Sequence, residues 1–310
     1  MQSVAREKRE STRAEDRVRL QVILRAPWVQ KPIDRIGKGE IAMWIDEVGA
    51  KGNGGKGLAA STLNRYRSLV SVVFEHAVER DIIGVNPARG LKRADETHRA
   101  REIFLSREEV LALVRTAPPE LSLLLLTAAS TGLRQGALRA LRWADVDLDA
   151  GTLLAKATYA KGKKPQLFKL IPAVVEGLRE CRSQMKVRSL EGADAVFRTK
   201  TGVAWTRGRL CTAVRAAVDA CSQIASEKRG KVTLHTLRHS FASLLAIDGM
   251  STRKLQEAMS HSDATLTGRY AHLDSEAMVE VQQRIGRLLD PQPDQLREGY
   301  HRGYQGERAG

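Results

Sequence analysis

Between residues 88 and 103 the apolar periodicity of the chain lapses into a polar run of mixed charge that includes GLKRADETHRARE. A stretch with so little to bury cannot sit inside a core, so it divides the chain into two units that must each find their own. We read 91–103 as the linker, with one domain over 15–90 and a second over 104–290. Residues 1–14 (MQSVAREKRESTRA) are charged and read as a flexible N-terminus, and 291–310, with Pro, Gly and scattered charge, as a flexible tail. The 310 residues suffice for about two domains with sizeable cores.

The first domain reads as all-helical. Patterning falls at 15–25 and 39–48, and Ser61 reads as the cap of a strong helix. Along that helix Leu63, Tyr66, Leu69, Val70, Val73, Phe74 and Ala77 share one face. The glycine-rich segment KGNGGKG at 51–57 lacks the GxxxxGK[ST] spacing of a phosphate loop and reads as a flexible surface loop. The second domain opens on Ser106-Arg107-Glu108-Glu109, a capping box, and continues with a helix near 120–130. Two strands are expected at 152–158 and 166–171 around a Lys/Gly turn. Pro172 then starts a helix, and further helices fit 206–221, 235–247, 252–259, 263–271 and 275–289. The fold class is mainly α with a small antiparallel β-sheet.

Charge narrows the partners. Lys and Arg number 51 against 36 Asp and Glu, a net of +15, with +6 in residues 1–100 and +9 in 101–310. An excess spread over both halves suits a polyanion touched along much of the chain. Cys181, Cys211 and Cys221 are odd in number and lack CxxC spacing, which argues against a disulfide framework or a cysteine zinc site. Reduced thiols and the lack of a signal-like apolar N-terminus point to the cytoplasm. The longest apolar stretch, 121–129, is far short of the ~20 residues that span a bilayer.

Six groups stand out: Arg134 in TGLRQGAL, Lys161 in YAKGKKP, His235 and Arg238 in HTLRHS, His261 in MSHSD, and Tyr270 in TGRYAHL. On a helix His235, Arg238 and His239 share a face, yet Thr236 stands where a zinc-protease helix needs Glu. No carboxylates accompany the set, so it does not read as a magnesium site. Arginine forks match phosphate oxygens and could neutralise a five-coordinate phosphorus transition state, while a tyrosine can form a covalent phosphoester.

These residues resemble the catalytic domain of the tyrosine recombinase (phage integrase) family over about residues 104–290. TGLR matches the first arginine, HTLRH the HxLRH motif, MSHSD the LGHS-type segment and GRYAHL the tyrosine. The intervals from Arg238 to His261 (23 residues) and from His261 to Tyr270 (nine) also match. More weakly, STLNRYRSLVSVVFEHAV and NPA resemble the family's SAM-like core-binding domain.

The resemblance implies that Tyr270 attacks a DNA phosphate, leaving a 3′-phosphotyrosyl link and a free 5′-hydroxyl. Arg134 and Arg238 would hold the nonbridging oxygens, Lys161 would protonate the leaving oxygen, His235 would act as base or positioning group, and His261 would donate to the phosphate. Lys163 and Lys164 rival Lys161. Ala137 and Ser260 replace a usual Glu and Gly, and the stretch from Lys161 to Pro172 is about three residues longer than common forms. The family works without metal or ATP, as a tetramer on double-stranded DNA sites, at times with DNA-bending accessory proteins. Arg65, Arg67, Lys92, Arg93 and Lys164 are candidate DNA contacts, and the last helix could pack on a neighbouring protomer or on its own domain. Integration or excision of a phage or mobile element, Xer-like resolution of chromosome or plasmid dimers, and a catalytically silent DNA-binding regulator are the functions in view, with a nucleoid-associated location.

Overall fold

A computed structural model describes residues 10–52, 54–96, 103–156, 165–184, 194–251, 254–255 and 273–289. The chain divides into two compact units, Met1–Ala100 and Arg101–Gly310.

The first unit contains helices α1 (Glu10–Ile23), α2 (Lys38–Lys51) and α3 (Ala60–Val78), with 3-10 turns at Pro27–Gln30 and Ile33–Arg35. Its core gathers Trp28, Ile41, Trp44, Ile45, Val70 and Phe74. Trp28 meets Trp44 edge-on at 5.6 Å, and Trp44 meets Tyr66 likewise at 6.0 Å. Two expectations change. Helix α1 already begins at Glu10, inside the stretch read as a flexible N-terminus, and Arg19 pairs with Glu15 and Asp16 one turn back. Ser61 does not cap α3: the extended residue at its start is Ala59, and Ser61 lies within the first turn. The glycine-rich loop folds back on α2, with Gly57 N–H donating to Gly52 O and Leu58 N–H to Gly49 O.

Asn64 on α3 redraws the start of the linker. It is 4% exposed, and its Nδ2 donates to Ala94 O at 2.9 Å and Glu96 Oε1 at 2.7 Å. Its Oδ1 accepts from Ala94 N–H at 2.8 Å. Residues 94–96, expected in the linker, are thus hydrogen-bonded to the first unit.

The second unit contains α4 (Arg107–Thr116), α5 (Pro119–Thr131), α6 (Gln135–Ala140), β1 (Val146–Asp147), β2 (Thr152–Ala155), β3 (Gln166–Lys169), α7 (Pro172–Ser183), α8 (Arg207–Ala220), α9 (Ser226–Arg229), α10 (Leu234–Ile247) and α11 (Leu273–Leu289). The expected capping box opens α4: Ser106 Oγ accepts from Glu109 N–H, and Glu109 Oε2 accepts from Ser106 N–H. Helix α5 is buried on every side from Leu121 to Thr131, and the hydroxyls of Thr127 and Thr131 donate to carbonyls one turn back. An all-round apolar helix is a core helix, and the other elements wrap it.

Among the described residues β1, β2 and β3 form an antiparallel sheet in that order, with Val146 opposite Leu153 and Leu153 opposite Phe168. Leu153, Ala155 and Phe168 supply its buried face. Strand β1 escapes prediction because two residues carry no alternation. Strand β3 ends two residues earlier than expected, while 157–164, with the expected end of the preceding strand and the Lys/Gly turn, lie outside the described residues. Leu170 N–H turns to Gly151 O, and Pro172 opens α7. The helices expected at 252–259 and 263–271 lie outside the described residues except for 254–255, which are helical. Helix α11 packs on its own unit: Val281, Ile285 and Leu289, at i, i+4 and i+8, are 5%, 1% and 0% exposed.

Candidate active site

The site is built where α5 stops. At its C-cap Gly132 takes the left-handed conformation (φ 63°), and its N–H donates to Ala128 O. A Cβ there would stand 2.7 Å from Phe241 Cδ1, so glycine is required by conformation and by space. Two residues on, Arg134 forms the N-cap of α6, its carbonyl accepting from Ala137 and Leu138.

Helix α10 supplies the facing groups. Thr233 and Thr236 cap its start reciprocally. Arg238 is only 8% exposed, and its Nη1 donates to the carbonyl of Gly132. Burial, then the positive charge of Arg134, push the Arg238 guanidinium down to about 10. The carbonyl that Arg238 holds lies two residues ahead of Arg134, so both arginines belong to the same turn. His235 is exposed and His239 half-buried, with rings 4.5 Å apart and nearly perpendicular.

A cleft of about 480 Å³ opens beside this turn and is lined by Arg134, His235, Arg207, Arg215 and Arg229, among others. The last three were not anticipated. Arg207, Cys211 and Arg215 recur at i, i+4 and i+8 as an exposed stripe of α8, alongside the buried stripe of Leu210, Val214 and Val218. That stripe was visible in RGRLCTAVR, but it looks like any solvated helix face until the cleft is seen. Arg229 is fixed by donating to Ile224 O at 2.9 Å and Ser222 O at 3.3 Å.

The structure thus brings Arg134, His235 and Arg238 to one place. Lys161, Lys163, Lys164, His261 and Tyr270 lie outside the described residues. In the first unit Lys92 and Arg93 are exposed, and Arg65 is 63% exposed on α3 with Glu15 at 3.9 Å. Arg67 is 14% exposed, donates to Asn64 Oδ1 at 3.3 Å and lies 3.6 Å from Asp46, so its own unit engages it. Among the described residues no cluster of three His, Cys, Asp or Glu could hold a metal ion, and no helix is long and apolar enough to cross a membrane.

The sequence profile of the phage integrase family matches residues 103–277. Among curated proteins, the tyrosine recombinase XerC of Xanthomonas axonopodis pv. citri (strain 306) is 32% identical over 235 residues, 73% of this chain and 72% of the relative. XerC of Xylella fastidiosa (strain 9a5c) is 33% identical over 237 residues, 73% of this chain and 74% of the relative. Among solved structures, the fold resembles the Tn1549 transposon integrase in complex with circular intermediate DNA. That match has a TM-score of 0.67 and 22% identity, covering 90% of this chain and 96% of the other. It also resembles a lambda integrase dimer bound to a COC′ core site, with a TM-score of 0.65 and 20% identity, covering 84% and 91%.

Proposed function

The chain belongs to the phage integrase family, and on that premise we propose that it is a site-specific tyrosine recombinase, a DNA strand-transferase working through a 3′-phosphotyrosyl intermediate. The tie of buried Arg238 to the Gly132 turn, two residues ahead of Arg134, carries this reading. Two neighbouring guanidiniums, one of them buried, are held against repulsion and desolvation. An anion seated between them offsets both costs. A phosphodiester presents two nonbridging oxygens to two planar donors, and its five-coordinate transition state carries more negative charge still. The arginine-lined cleft supplies a basic approach for the duplex.

In this reading the Tyr270 oxygen attacks phosphorus while the bond to the 5′-oxygen breaks. His235 positions the phenol or takes its proton, and Lys161, with Lys163 and Lys164 as rivals, gives a proton to the departing oxygen. His261 donates to the phosphate. One P–O bond replaces another, so religation to a second 5′-hydroxyl needs no ATP. The catalytic set contains no carboxylate, so its cations balance the phosphate charge, and cleavage in EDTA is the expected result. The partners are double-stranded DNA sites, a homotetramer assembled on them and DNA-bending accessory proteins. The domains are a SAM-like core-binding unit, extended to 10–96 by helix α1 and the Asn64 bonds, and a catalytic unit (104–290), in a cytoplasmic, nucleoid-associated protein.

Integration or excision of a phage or mobile element is the primary role. The XerC relatives favour a second reading on the same chemistry, resolution of chromosome or plasmid dimers. Recombination at a site in DNA flanking the gene supports the first, and activity confined to a dimer-resolution site supports the second. The test of the chemistry is a nicked duplex carrying the cognate site: a covalent protein–DNA adduct forms, and Tyr270→Phe abolishes it. A protein that binds this duplex without forming the adduct is a regulator on the same fold.

A further inference from the structure

Helix α10 is held from two sides by polar bonds two residues apart. On one side Arg238 donates to the Gly132 carbonyl. On the other Ser240, 0% exposed, accepts from Leu105 N–H at 2.8 Å and donates to Thr236 O at 2.8 Å. Residues i and i+2 point about 200° apart around a helix, so the two bonds oppose each other across its axis. Leu105 belongs to the segment by which the chain enters the second unit, directly ahead of the Ser106 cap of α4.

The same entry segment is tied a second time. Glu109 accepts from Lys228 Nζ at 2.9 and 2.7 Å while its Oε2 holds Ser106 N–H at 2.8 Å. Lys228 lies in α9, and the chain leaving α9 runs straight into α10, with Thr236 Oγ1 donating back to Lys231 O at 3.5 Å. Residues 105–109 therefore grip the catalytic helix directly through Ser240 and its approach through Lys228. Hydrophobic packing alone lets a helix roll by small amounts. Directional bonds on opposite faces do not.

We propose that Ser240, backed by the Lys228–Glu109 pair, is a positioning residue that fixes the rotation of α10 and so holds Arg238 at the Gly132 turn. This rests on the reading of Arg238 as a phosphate-binding group. It makes the entry segment, which the linker meets first, a lever on the active site: a pull on residues 105–109 turns α10.

The test compares the full-length wild type with Ser240→Ala and Lys228→Met. Amide exchange of residues 237–241 is read in the free protein. Single-turnover adduct formation and equilibrium binding are read on one nicked duplex carrying the site that the wild type cleaves. Each variant is expected to speed exchange at 237–241 at least tenfold and to slow adduct formation at least tenfold, with duplex affinity within twofold of wild type. Faster exchange confined to residue 105 in one variant and to residues 109 and 228 in the other would show local bonds only and overturn the proposal. So would unchanged cleavage. If Ser240→Ala does not fold, Lys228→Met decides by the same readouts, since its ion pair lies nearer the surface. A wild type that cleaves no duplex refutes the recombinase reading, and the exchange pattern then decides by itself whether α10 is held as proposed.

Discussion

Replacing Gly132 by alanine tests the turn that joins the two arginines. The left-handed backbone (φ 63°) costs an L-residue roughly 1–2 kcal/mol. The added methyl would lie 2.7 Å from Cδ1 and 3.1 Å from Cε1 of Phe241, which is 2% exposed and cannot swing into solvent. Forcing a methyl into such a place costs roughly 1–3 kcal/mol more. Gly132→Ala should therefore destabilise the second unit by about 2–5 kcal/mol in urea unfolding. Phe241→Leu removes the ring edge that the methyl meets, at a cost well below the roughly 3–5 kcal/mol of a Phe→Ala change. In the double variant the steric part returns and the backbone part does not, so the two substitutions should couple favourably by about 1–3 kcal/mol. Additivity within about 0.5 kcal/mol would refute the reasoning, because it would mean that Phe241 does not back the turn.

Asn64→Ala strips Ala94 of partners for both its N–H and its C=O, costing the first unit about 1–3 kcal/mol. Limited trypsin digestion should then cut after the exposed Lys92 and Arg93 severalfold faster, and an unchanged rate contradicts the clasp. Orthophosphate at about 100 times its Kd should stabilise the wild type by about 2.7 kcal/mol, and Arg134→Gln or Arg238→Gln should abolish the shift seen by thermal unfolding. Lys254 first, through a 2.6 Å hydrogen bond, and then Arg284 hold the Glu280 carboxyl below the usual carboxylate range. A depressed carboxyl adds stability above its unfolded value that is lost as pH falls through the folded one. Amide exchange in α11 should therefore quicken, relative to its intrinsic rate, between about pH 6 and pH 3.

What the sequence made legible follows from how local each cause is. The box of Ser106 and Glu109 closes within four residues, and the all-apolar run of α5 announces a core helix wherever it packs. Ser61 misled because a serine in a first turn looks like a cap unless the extended residue ahead of it, Ala59, is known. Asn64 gave no signal, since its partners lie 30 and 32 residues away. Helix α6 and strand β1 are too short to show a period. Arg134 and Arg238 were found through motif order rather than through physics. The carbonyl that joins their turns is 106 residues from Arg238, and no spacing rule reaches that far. Arg207 and Arg215 were hidden by looking ordinary.

The atom to which the DNA becomes attached decides the chemistry. Trapping the wild type on a nicked duplex, digesting the adduct and sequencing its nucleotide-bearing peptide by mass spectrometry should give one modified residue, Tyr270, linked to a 3′-phosphate. A nucleotide on any other residue, or an adduct that survives Tyr270→Phe, would contradict it.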